Sequence, residues 1–267
     1  MLITVVVTTY NRPKALDRVL GGLAQQSDHH FEVVIADDGS SEETAAIIDY
    51  WEKKECFPLY HAWQEHQGFR AGRSRNNAVL QSKGDYLIFL DGDCLPRTNF
   101  VGNHRALAEP GFVVAGNRCL LSRTFSRSVE EGLAKPESWN LLQFVMPRLR
   151  CDINRLEALV TLPPKAAFRY RNPQRWQRVR SCNMGLFKSD FLLVNGFDAS
   201  FKGWGFEDSD LAARLINAGI KIKNGTFATA VLHLYHTESR KECKGYNWDR
   251  FQEVLAKGHT LPIEGIE

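Results

Sequence analysis

Asp91 and Asp93 stand one residue apart around Gly92, directly after the apolar run Tyr86 to Leu90. Two carboxylates at the end of a buried strand suit a hard divalent cation that also binds phosphate oxygens. The plainer alternative is a turn in which an aspartate caps the helix near Arg97. A second run, Phe31 to Ala36, ends in Asp37-Asp38-Gly39-Ser40, so two acidic clusters should face the same cleft. Further along, Gly203-Trp204-Gly205-Phe206-Glu207-Asp208-Ser209-Asp210 sets a tryptophan between glycines, ahead of carboxylates in the first turn of a helix. Capping explains any one of those acids, because negative charge is favoured there. A mobile loop that lays an aromatic face over a sugar, with a carboxylate beside a hydroxyl, explains the whole string.

His233 and His236 close the run Val231 to His236. Strand residues three apart face opposite sides, so both rings reach one metal only if the strand ends or bends between them. One is expected as a ligand, and the other has the alternative of a core histidine. The segment His66 to Asn77 carries Arg70, Arg73 and Arg75 around the start of a helix. Arginine and a helix N-terminus both favour phosphate; plain surface charge is the alternative, and no GKS or GKT makes this a Walker loop.

These residues need a scaffold that gathers loop ends. Ile3 to Thr9 is a β-branched run suited to a strand buried on both faces, and a helix opening at Pro13 follows, with Ala15, Leu16, Val19, Leu20 and Leu23 at helical spacing. Phe31 to Ala36, Phe57 to Trp63 and Tyr86 to Leu90 read as further strands, separated by helices from Ser41 to about Trp51 and from Ala71 to Gln81. That alternation predicts an α/β architecture with a mostly parallel sheet covered on both faces. Ligands of such sheets sit beyond the carboxyl ends of the strands. The second half is less regular: a strand at Phe112 to Ala115, helical stretches from Thr124 to Leu162 broken by Pro136, Pro147 and Pro163-Pro164, strands at Met184 to Phe187 and Thr226 to Leu234, and a helix from Asp208 to Ala218.

With 267 residues, 43% hydrophobic and 11% aromatic, the chain is globular, and disorder and a minimal disulfide scaffold are disfavoured. Cys56, Cys94, Cys119, Cys151, Cys182 and Cys243 form no CxxC pair and read as free thiols in a reducing compartment. The opening strand lacks a basic leader, and no apolar run approaches the roughly 18 to 20 residues of a membrane helix. A soluble, cytoplasmic protein is expected, with room for peripheral contact with the inner face of a membrane. The net charge of +3 hides an asymmetry: Arg118 to Arg180 holds 13 basic and 5 acidic residues. Within it, Lys165, Arg169, Arg171, Arg175, Arg178 and Arg180 interleave with Phe168, Tyr170 and Trp176. Such a stretch attracts phosphate or an anionic lipid face, or is a solvated basic flank.

TTYNRP, DDGS, the G…R…RNN segment and DGD occur in the order found in the family 2 glycosyltransferases, and the chain resembles that family over about residues 1 to 115. GFDxxFxGWGxEDxDLAxRL, from Gly196 to Leu215, is similar to the carboxyl-terminal region of galactosyltransferases and of chondroitin-polymerase or polypeptide N-acetylgalactosaminyl transferases, a likeness extending over about residues 181 to 240. The resemblance implies a GT-A (Rossmann-like) fold: a nucleotide-sugar-binding half, 1–115, fused to a smaller acceptor-side α+β region, 116–267, in one continuous domain. It implies that Thr8, Tyr10, Asp38 and Arg70 contact the nucleotide, with Asp37 supporting their loop. Asp91 lies by the ribose or diphosphate, Asp93 binds Mn2+ or Mg2+, and His236 or His233 completes the coordination. Asp208 matches the catalytic base, Glu207 a hydroxyl contact and Trp204 the loop aromatic. Phe206 departs from the pattern, standing where a small residue is usual.

The implied activity is a metal-dependent, inverting transfer of a hexose, galactose or N-acetylgalactosamine favoured, from a UDP-sugar. The acceptor is a saccharide or lipid-linked saccharide in polysaccharide or lipopolysaccharide synthesis, and no nucleic-acid partner is expected. Two other readings compete. A DxD phosphohydrolase of haloacid-dehalogenase type fits the strand before DGD, but Cys94 stands where that family has Thr or Val. A non-catalytic nucleic-acid-binding protein fits the basic stretch, but two acidic strand ends would repel a phosphate backbone.

Overall fold

The computed structural model describes residues 1–237 and 244–266; Cys243 lies outside the described residues. Four β-branched or aromatic runs form the parallel heart of a sheet: β1 (Ile3–Thr9), β2 (Phe31–Asp37), β3 (Leu59–Trp63) and β4 (Tyr86–Asp91). All of β2, and all of β1 except Thr8, is buried, which is why these runs read as continuous rather than alternating hydrophobicity. Three strands from the second half extend this sheet: β6 (Phe112–Ala115), β8 (Asn183–Phe187) and β9 (Lys221–Asn224), giving the order β3-β2-β1-β4-β8-β6-β9. Only β8 runs against the rest, paired antiparallel with β4 and β6.

On one face α1 (Pro13–Ala24), α2 (Glu42–Lys54) and α4 (Phe100–Leu107) bury Leu16, Leu20, Trp51 and Phe100 against Val5, Val33 and Ile88. On the other, α3 (Ala71–Gln81), α7 (Lys188–Leu193) and α8 (Glu207–Asn217) bury Val79, Phe191, Leu211 and Leu215 against Val6, Val34 and Phe89. A second sheet of three short strands has β10 (Val231–His233) antiparallel to β5 (Cys94–Pro96) and parallel to β7 (Arg118–Leu120). It shares a core with α5 (Arg123–Glu130), where Leu121, Leu232 and Leu234 meet Phe125, Phe144 and Ile153. Two more helices complete the fold, α6 (Val145–Leu149) and α9 (Lys244–Lys257).

Register decides where the polar strand ends go. Thr8 pairs with Ala36 on one side and with Asp91 on the other, so TTYNR, DDGS and DGD emerge at one edge. Because β8 is reversed, it enters the sheet at that edge, with Asn183 beside Leu90, and brings Ser181 and Cys182 there.

Two expectations need correction. The strand expected from Thr226 to Leu234 is confined to Val231–His233. Before it the chain turns: Phe227 has a left-handed φ of 60° and Thr229 N donates to the Gly225 carbonyl. The same turn explains a residue of the basic stretch. Arg169 is fully buried and its guanidinium donates to the carbonyls of Leu162, Pro163, Asn224, Thr226 and Phe227 at 2.8 to 3.1 Å. It satisfies carbonyls that a strand would have paired. The aromatic residues around it are structural too: Phe168 packs edge-on to Phe227, Tyr170 donates to Glu109, and Trp176 packs on Phe251. That stretch is therefore not a uniform basic surface.

Candidate active site

Gly92 lets the acidic strand end reach the sheet. Its amide donates to the Thr8 carbonyl at 2.7 Å, and a Cβ there would lie 2.9 Å from that oxygen. Asp91 and Asp93 are thus held against the end of β1. Above them lies the buried guanidinium of Arg75, which projects from α3. Its Nε donates to Thr8 Oγ1 at 3.0 Å, Nη2 donates to Asp91 Oδ1 at 3.1 Å, and Nη1 stands 3.6 Å from Glu207 Oε1. One side chain joins β1, β4 and α8.

Asp93 is ringed by cationic and imidazole groups. Arg12 Nη1 donates to its Oδ2 at 2.8 Å and Arg12 Nη2 to Glu130 at 3.1 Å. His233 Nε2 lies 3.7 Å from Oδ1, and His236 Nε2 3.4 Å from Oδ2. The strand does end between the two histidines: β10 stops at His233 and Leu234 N donates to the Asp93 carbonyl, which brings the rings to 5.1 Å. A carboxylate and two imidazoles converging in this way fit a divalent cation.

Across the cleft, α8 begins at Glu207 behind the loop Gly203-Trp204-Gly205. Gly203 and Gly205 have φ of 72° and 115°. Phe206, at 71°, takes a left-handed conformation that costs a bulky residue roughly 1 to 2 kcal/mol. Its ring is stacked on Phe251 at 5.6 Å and lies 5.1 Å from Trp248, both on α9. Asn247 of α9 also donates to the carbonyls of Gly205 and Lys202 at 3.1 Å. Packing against α9 thus offsets the strain at Phe206 and positions the Trp204 loop.

At the far end, Tyr10 stacks on His66 with centroids 4.3 Å apart. The Asp38 carboxylate accepts from Gln64 Nε2 at 2.6 Å and from the Arg70 amide at 2.7 Å. Gly39, at φ 89°, is required, since a Cβ would come within 2.4 Å of the His66 amide.

These groups share one open cleft of about 800 Å³. It is lined by Thr8, Tyr10, Asp38, Asp91, Asp93, Trp204, Glu207, Asp208, His233 and His236 among others, so the acids after Trp204 and those around Gly92 face one space. Two residues singled out in the sequence do not line it. Asp37 is buried beneath the DDGS loop, bonded to His61 and to the Ser40 amide. The Arg70 side chain turns to the Glu65 carbonyl. Of the cleft arginines, sequence reasoning set Arg75 among three phosphate-favouring arginines and Arg180 in the basic stretch, but gave Arg12 and Arg118 no role in the cleft. Arg75 had a usable signal, lying three and four residues after Gly72 and Ala71 on the same helix face that opens on the strand ends. The two ends of the basic stretch, Arg118 and Arg180, reach the cleft, whereas its middle does not.

The electrostatics separate the acids. Burial, with Asp208 adjacent and against the pull of Arg75, pushes Glu207 up to about 7. Burial at the cleft floor raises Asp91, opposed by Arg75 and reinforced by Asp93. For Asp37, burial is outweighed by the His61 and Ser40 hydrogen bonds, which hold it below the usual carboxylate range. Burial lowers His233 against the opposing pull of Asp93, favouring the neutral imidazole that a metal needs.

Residues 4–133 match the family model described as glycosyl transferase family 2, and residues 164–237 match the model described as the N-terminal domain of galactosyltransferase. The chain is 30% identical over 264 residues to validoxylamine A glucosyltransferase of Streptomyces hygroscopicus, spanning 94% of this chain and 60% of that protein. The chain therefore spans about three fifths of that relative's length. Among solved structures, S. aureus TarS 1-349 in complex with UDP-GlcNAc superposes with a TM-score of 0.66 at 15% identity, over 97% of this chain and 66% of that one. The mannosyltransferase PcManGT of Pyrobaculum calidifontis, in complex with GDP-Man and Mn2+, gives 0.55 at 15% identity, over 95% and 69%. The fold is thus the expected GT-A one, a mostly parallel sheet with mixed α/β surroundings.

The raised Glu207 has a consequence for stability. The folded chain keeps its proton up to about 7, whereas an unfolded glutamate releases it near 4.5. Between those values the folded state binds more protons, so stability falls as pH rises. In metal-free protein the melting temperature should decline more steeply from about pH 5 to 8 for wild type than for Glu207→Gln. Parallel melting curves would contradict the assignment.

Proposed function

The chain belongs to glycosyl transferase family 2, and from that membership we propose that it transfers a hexose from a UDP-sugar to a saccharide or lipid-linked acceptor in polysaccharide or lipopolysaccharide synthesis. One observation carries the reading: a single cleft is lined by the Asp91–Asp93 strand end with His233 and His236 and, facing it, by Trp204, Glu207 and Asp208. The nucleotide complexes of the structural neighbours support a nucleotide-sugar donor, and the match over residues 164–237 supports galactose or N-acetylgalactosamine.

In this reading Tyr10, on its His66 stack, takes the base, and Asp38 and Thr8 hold the nucleoside. Arg12, Arg118 and Arg180 surround the diphosphate. Asp93 with His233 and His236 would hold Mn2+ or Mg2+, which neutralises charge on the departing nucleoside diphosphate. Trp204 covers the sugar. Glu207, holding its proton near neutrality, donates a hydrogen bond to a sugar hydroxyl. Asp208 removes the acceptor hydroxyl proton as that oxygen attacks the anomeric carbon from the face opposite the leaving group, so one displacement inverts the configuration.

Acceptor chemistry also bears on where the protein sits. No helix among the described residues is long and apolar enough to cross a membrane. Leu142, Val145, Met146 and Leu149, spaced as one helical face, are 81, 39, 54 and 71% exposed, and Arg148 and Arg150 are exposed beside them. Apolar side chains flanked by arginines fit the interface of an anionic bilayer. This stripe suits peripheral contact better than the stretch from Lys165 to Arg180, whose Arg169 is internal.

Asp208→Asn should lower transfer of a UDP-sugar by about 10² to 10⁴ while donor binding persists, the usual worth of a positioned base; near-normal turnover would remove Asp208 from that role. In co-sedimentation with phosphatidylglycerol vesicles at low salt, the wild type should pellet, and Leu142→Ser with Leu149→Ser should not. Equal pelleting of the two, or none of either, would remove the membrane contact.

A further inference from the structure

We infer that Arg171, Arg175 and Arg178, which precede Arg180 at the cleft, form a track for the acceptor, and that the acceptor is a negatively charged saccharide chain. The inference deepens the transferase reading and rests on it for the role of that chain as acceptor, though not for its binding.

The charge on this segment is left open. No acidic residue stands between Glu157 and Asp190 in the sequence. Arg171, Arg175 and Arg180 are exposed and Arg178 is half-buried, and none of the four forms an ion pair among the described residues. Arg178 Nη1 donates to the Arg171 carbonyl at 2.9 Å and Arg180 Nη1 to the Val179 carbonyl at 2.7 Å. Those bonds orient the side chains without supplying a counter-ion. Burial and the like charge of Arg175 pull Arg178 below the usual arginine range. Like charges held this close repel, and an anion shared between them removes that cost.

The neighbours of the arginines narrow the ligand. Asn172, Gln174 and Gln177 alternate with them, are exposed, and make no side-chain hydrogen bond among the described residues. A guanidinium takes a carboxylate or phosphate through two parallel hydrogen bonds, and an amide both donates to hydroxyls and accepts from them. Interleaved, the two types match a chain that carries hydroxyls and anionic groups together. A bilayer would instead meet apolar side chains, and those of this stretch are turned inward: Phe168 on Phe227, Tyr170 on Phe112, and Trp176 on Phe251.

The track is held rigidly and beside the cleft. Ile222 N, on the edge strand β9, donates to the Pro173 carbonyl at 2.7 Å; Val179 is wholly buried, and the Trp176 ring lies 4.7 Å from that of Phe251. Phe251 also stacks on Phe206, so the segment shares its support with the Trp204 loop. Arg180 and Ser181 line the cleft, and chain length alone keeps Arg175 within about 18 Å of Arg180. A saccharide leaving the cleft on this side reaches arginines already fixed in place, which lowers the ordering cost of binding.

The test is fluorescence anisotropy with fluorescein-labelled oligogalacturonate at low salt, with no nucleotide present. Wild type should bind it, neutral dextran of similar length should not compete, and added salt should weaken the complex. Arg171→Gln, Arg175→Gln and Arg178→Gln together should lower the affinity about tenfold or more, with circular dichroism and UDP binding in Mn2+ unchanged. Gln174→Ala with Gln177→Ala should weaken oligogalacturonate but not polyphosphate, which has no hydroxyls along its chain. No binding by wild type, equal binding by the arginine variant, or an equal response of both probes to the glutamine variant overturns the inference. So does loss of pelleting with phosphatidylglycerol vesicles in the arginine variant, which would assign the segment to a membrane. UDP-sugar turned over by a wild type that binds no oligogalacturonate removes the track and leaves the transferase. Arginine-dependent binding with no UDP-sugar turned over upholds the track and removes the transferase.

Discussion

Carboxylates at close quarters repel, and this chain gathers Asp91, Asp93, Glu207 and Asp208 around one cleft. The buried guanidinium of Arg75 makes that gathering tolerable. It bonds the end of β1 and the end of β4 and lies beside Glu207, so it offsets charge on both walls at once. A planar, permanently charged fork suits three directions, where the point charge of a lysine would satisfy one. Arg12 performs the same service for Asp93, linking it to Glu130 on α5. Removing either arginine would leave acids unpaired at the floor of the site, so the site's shape and its charge balance are the same constraint.

The rest of the fold supplies the ends that these arginines tie. Parallel strands deliver three loops to one edge, and the reversed β8 delivers the segment before it to the same place. The small sheet then sets His233 against Cys94 and turns His236 back towards Asp93. On the opposite wall, α9 holds the loop around Trp204 through Asn247 and through the aromatic stack on Phe206. A bulky residue in a left-handed conformation persists there because Phe251 and Trp248 cover it.

The first hundred residues were nearly legible as written. β-branched runs ending in turn residues gave β1, β2 and β4, and Ala71–Gln81 spans the expected helix, because local pattern and tertiary role agree there. The short strands β5, β7 and β9 carry too few residues for a period to show, and they exist through pairing partners distant in sequence. Thr226 to Ala230 had strand composition, yet the carbonyls of Thr226 and Phe227 are taken by Arg169 and the chain turns. Composition likewise could not tell which arginines of the basic stretch face solvent, line the cleft or lie buried. The acidic motifs were readable by type and spacing, and the resemblance set Asp37 in support of its loop; that Arg12 and Arg118 line the cleft depends on side-chain direction, which the sequence does not carry.

Calorimetric titration of UDP into wild type and Asp93→Ala, each with and without Mn2+, tests the account at its centre. Metal-dependent UDP binding by wild type, lost in Asp93→Ala, is the predicted outcome; UDP binding indifferent both to the metal and to the substitution would contradict it.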